Sequence, residues 1–252
     1  MDVAIRGDRA SCLSLQLGPR SWLFAVARGF GAVDGVASAP ATLGRLRTEC
    51  DRRIRGERFR RALERPQAAA TAILGILSRV NGTLYARSAA NDDYVTAGCS
   101  LTAALVVRGH AYVLHAGGTA AYLAHKGEVT TLTGDDALED APGTVLSRAL
   151  GTSTALDVAV SSVSVDAGDV MILMGHRVRG DVDRRALVAH VEGAGANEHM
   201  LVIRFDDSDR ALDQLTTKVT PDVAYRLGNG LRLLCASVVA IAGFLLATAW
   251  AR

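Results

Sequence analysis

Little in the sequence suits nucleic acid. The formal net charge is only +2, aromatic residues make up 5% of the chain, and no basic tract carries interleaved aromatics. Neither the electrostatic footprint nor the stacking surface of a nucleic-acid binder is therefore present. Cysteine is scarce as well. Cys12, Cys50, Cys99 and Cys235 stand far apart and match no zinc spacing, so they read as buried or free thiols in a reducing compartment. The first residues, Met1-Asp-Val-Ala-Ile-Arg-Gly-Asp8, lack the basic-then-apolar order of a signal peptide. The C-terminus is different in kind. Leu233 to Ala251 contains no charged residue, about the twenty-residue length at which a helix crosses a bilayer core. Arg226 and Arg232 precede it and only Arg252 follows, a bias that favours a cytoplasmic N-terminal domain.

What is present is a chain of 252 residues, long enough for one large core. Its clearest signal is a run of β-friendly segments broken by glycine turns. Gly98 to Val107 reads as a strand, Arg108-Gly-His110 as a turn and Ala111 to His115 as a second strand. Ala116-Gly-Gly118 then leads to a third strand, Ala120 to Ala124, and the turn His125-Lys-Gly127 to Glu128 through Leu132. This is the form of an antiparallel meander, with Leu105, Val107, Val113 and Leu123 placed for burial. Upstream, Val3-Ala-Ile5 opens the chain, and Cys12 to Leu17 and Trp22 to Ala27 read as strands joined by a turn at Gly18-Pro-Arg-Ser21.

Ala41 to Leu63 has a helical pattern, Arg65-Pro-Gln67 breaks it, and Ala68 to Arg87 forms a second helix. In the latter, Ile73, Ile76, Leu77, Val80 and Leu84 make one apolar stripe. The arginines between Arg45 and Arg65 read as a solvated face.

Several fragments, in order, carry a resemblance. Gly98-Cys-Ser-Leu-Thr-Ala-Ala-Leu105, Ala111-Tyr-Val-Leu-His-Ala-Gly-Gly-Thr-Ala-Ala-Tyr122 and Leu132-Thr133 are similar to the "GTTL…A", "YVANVGDSRAY" and "LT.DH" segments of PP2C-type (PPM) serine/threonine protein phosphatases. Val145-Leu-Ser-Arg-Ala-Leu-Gly-Thr152 resembles "VLTRALG". Ala167-Gly-Asp-Val-Met-Ile-Leu-Met-Gly-His-Arg-Val178 resembles "PGDRLLLCSDGL", and Ala196 to Phe205 resembles the closing "DN.S.VVVRF" strand. The likeness runs from about Val3 to Phe205, and it implies further strands over Val158 to Val165 and up to Phe205 and a short helix over Asp183 to His190. It implies an α+β fold, the four-layer α-β-β-α sandwich. Residues 1–206 would be the domain, 207–232 a juxtamembrane linker, and 233–251 a C-terminal transmembrane helix.

Members of this family hydrolyse phosphate esters with two Mg²⁺ or Mn²⁺ ions bridging a hydroxide, about 3.5–4 Å apart as in two-metal sites generally. The resemblance puts the metal-binding aspartates at Arg28 (followed by Gly29), Gly118, His176 and Ala196, or Glu198 in a register shifted by two, and an acidic pair at Ala10-Ser11. Glycine and alanine offer no ligand. Arginine repels a cation by on the order of 4 kcal/mol per unit charge at about 4 Å and an effective dielectric near 20. Asp34, Asp135, Asp136, Glu139 and Asp140 read as solvated loop acids, and His110, His115 and His125 as turn and strand residues. The expectation is therefore no metal ligand set, no catalytic residue and no cofactor. Arg28, His176 and Arg177 are instead placed to hold phosphate, since guanidinium offers fork-like donors.

The chain then reads as a catalytically inactive, membrane-anchored PP2C-like domain (a pseudophosphatase). Its partner would be a phosphoprotein or kinase-pathway protein in bacterial Ser/Thr phosphorylation signalling. The alternatives are a working metal-dependent phosphatase with rearranged ligands, with Mg²⁺ or Mn²⁺ as cofactor, and a structural component of a membrane assembly.

Overall fold

The computed structural model describes residues 1–6, 8, 11–31, 35–90, 98–137, 146–178, 180, 182–193 and 198–206. The expected linker, the apolar segment Leu233 to Ala251, Ala10, Asp34, Glu139, Asp140 and Ala196 lie outside these residues. Among the described residues no helix is long and apolar enough to cross a membrane.

Among the described residues, ten strands form two antiparallel sheets. One has the order β1 (Asp2–Arg6), β10 (Met200–Arg204), β9 (Val170–Met174), β6 (Ala120–His125), β7 (Glu128–Thr131). The other runs β2 (Cys12–Gly18), β3 (Ser21–Phe30), β4 (Gly98–Val107), β5 (His110–Ala116), β8 (Ala159–Ser164). Between the sheets lies a layer of interdigitated side chains: Phe24, Val26, Ala104 and Val113 from one, Leu123, Met171, Leu173 and Ile203 from the other. The period of two along a strand sends alternate residues to the opposite faces. Leu15, Leu23, Leu105 and Leu114 thus meet Leu46, Ile73, Ile76 and Leu77 of α1 (Gly35–Ile54) and α3 (Pro66–Ala89). On the outer face of the other sheet, Tyr122, Ile172 and Met174 pack on Leu187 and Val191 of α4 (Arg184–Gly193). The result is helices, sheet, sheet, helix, which is the expected layering.

β4 is buried at every residue because it is covered on both faces, whereas β8, at an edge, alternates half-buried and exposed. One expectation needs correction. Ala41 to Leu63 is not a single helix: α1 ends at Ile54 and α2 (Glu57–Ala62) begins after Gly56, whose φ of −88° and ψ of 132° are extended. Glycine weakens a helix interior, and the break turns Phe59 and Leu63 into the core beneath α1. The exposed arginines of this region, among them Arg45, Arg52, Arg58 and Arg61, form the solvated face expected of them.

A buried polar knot and a candidate functional pocket

Two groups of polar side chains sit at the same end of the sandwich, near the β5–β6 turn and the ends of β3, β9 and β10. The first is buried. Asp136 is 1% exposed and accepts hydrogen bonds from Arg148 Nε (3.0 Å) and Nη2 and, through its other oxygen, from the Gly117 backbone N–H (2.8 Å). That backbone approach depends on glycine. Gly117 has φ of +99°, and a Cβ there would stand 2.3 Å from Ser100 Oγ. Ser100 Oγ in turn accepts from the Gly118 N–H at 3.0 Å.

His115, also 1% exposed, places Nε2 3.5 Å from Asp136 Oδ2 and Nδ1 2.9 Å from Thr102 Oγ1. Burial pushes its pKa down to about 4. Asp136 opposes that shift, while Arg177 and Arg148 add to it. The imidazole is neutral at physiological pH. Asp136 is therefore an internal ion-pair partner and not a solvated loop acid, which corrects the sequence expectation.

The second group lines a cavity of about 500 Å³, bordered by Asp8, Ser11, Arg28, Gly29, Ala39, Gly175, His176, Glu198 and His199. Arg28 and Gly29 come from the end of β3, opposite Ser100 and Cys99 of β4. His176 follows β9 and Glu198 precedes β10, and the pairing of those strands continues in the hydrogen bond from Gly175 N–H to His199 C=O (2.8 Å). Asp8 arrives from the β1–β2 connection and accepts a hydrogen bond from Ser11 Oγ at 2.9 Å. Behind the cavity wall, His190 of α4 brings Nε2 to 2.7 Å from His176 Nε2. Glu198 spans the two rings, Oε1 at 3.9 Å from His176 and Oε2 at 3.9 Å from His190. Loss of hydration lowers the His176 pKa, the neighbouring His190 lowers it further, and Glu198 works against both.

The residues proposed from sequence thus divide. Arg28, Gly29 and His176 share the cavity, and Glu198, the alternative register for the last ligand position, joins them. Arg177 does not line it. Its guanidinium donates to the carbonyls of Thr133 (2.8 Å) and Gly134 and lies 3.7 Å from Asp135. Gly118 belongs to the buried knot. His190 and Asp8 were missed. His190 has a faint signal, one residue before Val191 and three after Leu187, at the margin of the buried stripe of α4. Asp8 lies just before the Ala10-Ser11 pair on which the acidic positions were set.

A pair of hard divalent cations fits this donor set poorly. Mg²⁺ and Mn²⁺ take oxygen ligands, and among the described residues the cavity offers two carboxylates, Asp8 and Glu198, beside a guanidinium and two imidazoles.

No protein-family model and no curated protein matches the sequence. Solved structures do match the fold. The serine/threonine phosphatase PstP/Ppp of Mycobacterium tuberculosis superposes with a TM-score of 0.56 at 17% identity, covering 81% of this chain and 98% of its own. PppA, a regulatory component of the type VI secretion system (T6SS) in Pseudomonas aeruginosa, gives 0.58 at 18% identity, with 81% and 96% covered. The serine/threonine phosphatase Stp1 of Staphylococcus aureus gives 0.61 at 11% identity, with 82% and 94% covered. The described residues therefore share the fold of these bacterial serine/threonine phosphatases, the PP2C-like fold that the sequence fragments implied.

Proposed function

We propose that this chain is a PP2C-like domain that no longer hydrolyses phosphate esters and instead binds a phosphorylated or other anionic group of a partner in bacterial Ser/Thr signalling. The apolar segment Leu233 to Ala251 would hold it to the membrane with the domain on the cytoplasmic side. One observation carries the reading: Arg28 and His176, both at positions where the family resemblance puts a metal-binding aspartate, line a single open cavity. A guanidinium there donates to a phosphate that metal ions would otherwise hold. Arg177, expected to join them, is turned away to the Thr133 and Gly134 carbonyls and Asp135.

The test uses the full chain with a chelator present. Phosphothreonine peptide or inorganic phosphate is expected to bind, more weakly as salt rises, and Arg28→Ala to weaken binding about tenfold. Arg28→Asp, which inverts the charge, should abolish binding without creating hydrolysis of p-nitrophenyl phosphate in Mg²⁺ or Mn²⁺. Metal-dependent turnover by the unaltered chain would instead establish the second reading, a phosphatase with rearranged ligands. Asp8 and Glu198 in the same cavity are what favours that reading.

A further inference from the structure

We propose that His176, His190 and Glu198 form a binding site for a single transition-metal cation, with Zn²⁺ the best match to the donor set. The inference goes beyond the proposed function and does not depend on it.

The three side chains come from three separate elements, the segment after β9, helix α4 and the segment before β10, and their donor atoms all lie within 4.8 Å of one another. The two imidazoles are tilted by 59° with ring centroids 4.8 Å apart. They are therefore not stacked, and they meet corner to corner through Nε2. Without a metal, only one proton fits between those nitrogens. With a metal, both rings take the Nδ1–H tautomer and turn two lone pairs on the ion.

Glu198 closes a rough triangle with the two rings, whose nitrogens are 2.7 Å apart: its Oε1 lies 3.9 Å from His176 and its Oε2 3.9 Å from His190, so the carboxylate faces the pair with one oxygen toward each. Ligands at about 2.0–2.1 Å from tetrahedral zinc are about 3.3 Å apart, within that spread. Oε2 of Glu198 is also sealed from solvent with no hydrogen-bond partner, a costly state for a carboxylate oxygen. A cation in the triangle would relieve it.

The chemistry selects the metal class. Two imidazoles and one carboxylate suit zinc and its neighbours, whereas Mg²⁺ and Ca²⁺ take oxygen. Arg28 in the same cavity opposes any cation, but Glu198 and Asp8 bring two negative charges against its one. Three protein ligands leave a fourth position open toward the cavity, the arrangement of a zinc site that accepts a further ligand.

The experiment is calorimetric titration of the metal-stripped full chain with Zn²⁺ alone, followed by Co²⁺ as a spectroscopic probe. One Zn²⁺ per chain is expected, undisturbed by excess Mg²⁺, and Co²⁺ should give visible bands that Zn²⁺ displaces. His190→Ala and the near-isosteric Glu198→Gln should each weaken Zn²⁺ at least about tenfold, since loss of mere outer-shell partners already costs that much. The Co²⁺ bands should fade in the same variants. Binding of less than one ion, or binding undiminished in Glu198→Gln and His190→Ala, would overturn the assignment. Phosphate binding in chelator is read separately, so either result can fail without the other.

Discussion

The two polar groups at this end of the sandwich contain similar residues in opposite states. Around Asp136, the carboxylate meets Arg148 and the Gly117 N–H, a buried imidazole stands beside it, and a glycine with positive φ is needed for the fit. Around Glu198, the carboxylate and both imidazoles remain between a quarter and a third exposed, and the atom without a hydrogen-bond partner is a carboxylate oxygen, whereas in the buried group it is His115 Nε2, on a neutral ring. Charges buried deeply must be matched inside the protein. Groups at a cavity can stay unmatched because solvent or a ligand completes them. The first arrangement is what a fold needs to close, and the second is what a site needs to bind.

The sharpest way to break this contrast is to remove one carboxylate from each group. Asp136→Asn should cost about 3 kcal/mol, at the low end for breaking a buried pair because Arg148 is a quarter exposed. Urea denaturation measures it, and a loss below about 1 kcal/mol would show that the knot is not structural.

A second effect, comparable at its limit, is on pH. His115 is neutral when folded, with its pKa at about 4 against an ordinary 6.5. Between those values the unfolded chain binds a proton that the folded chain does not. Its contribution is thus present above pH 6.5 and is lost as pH falls from there toward about 4. At about 1.4 kcal/mol per pH unit the loss reaches at most about 3 kcal/mol. His115→Gln, which stays uncharged, should flatten that part of the stability–pH curve.

The smallest effect belongs to the cavity. His190→Ala and Glu198→Gln should each change the stability of the metal-free protein by less than about 1 kcal/mol, as partly exposed ionic contacts generally do. A loss as large as that of Asp136→Asn would make the two groups alike and remove the distinction.

Much of the fold was legible in local sequence. Gly98 to Val107 and the glycine turns after it appear where their composition put them, because hairpins are decided by residues a few positions apart. The helix boundary at Gly56 was less legible: the helical pattern continues across it, and only packing decides whether a glycine is tolerated or used as a break. Of the cavity, Arg28 and His176 were found through the ordered fragments they sit in. Glu198 was offered there too, as the shifted register of the last ligand position, whereas His190 carried no pattern that joins it to them, since it comes from a different element.

The sequence alone thus determined the strand runs and the order of elements, which are read from periodicity and turn residues, and its ordered fragments pointed to the PP2C-like architecture through their resemblance to a known family. Only the tertiary structure decided that Asp136 is buried against Arg148, that Arg177 turns to Thr133 and Gly134, and that His190 meets His176. The reason is physical. Burial and convergence depend on how sheets and helices pack across the whole domain, and a side chain's charge or ring is the same letter in the sequence whether it ends in solvent, in a knot or at a cavity.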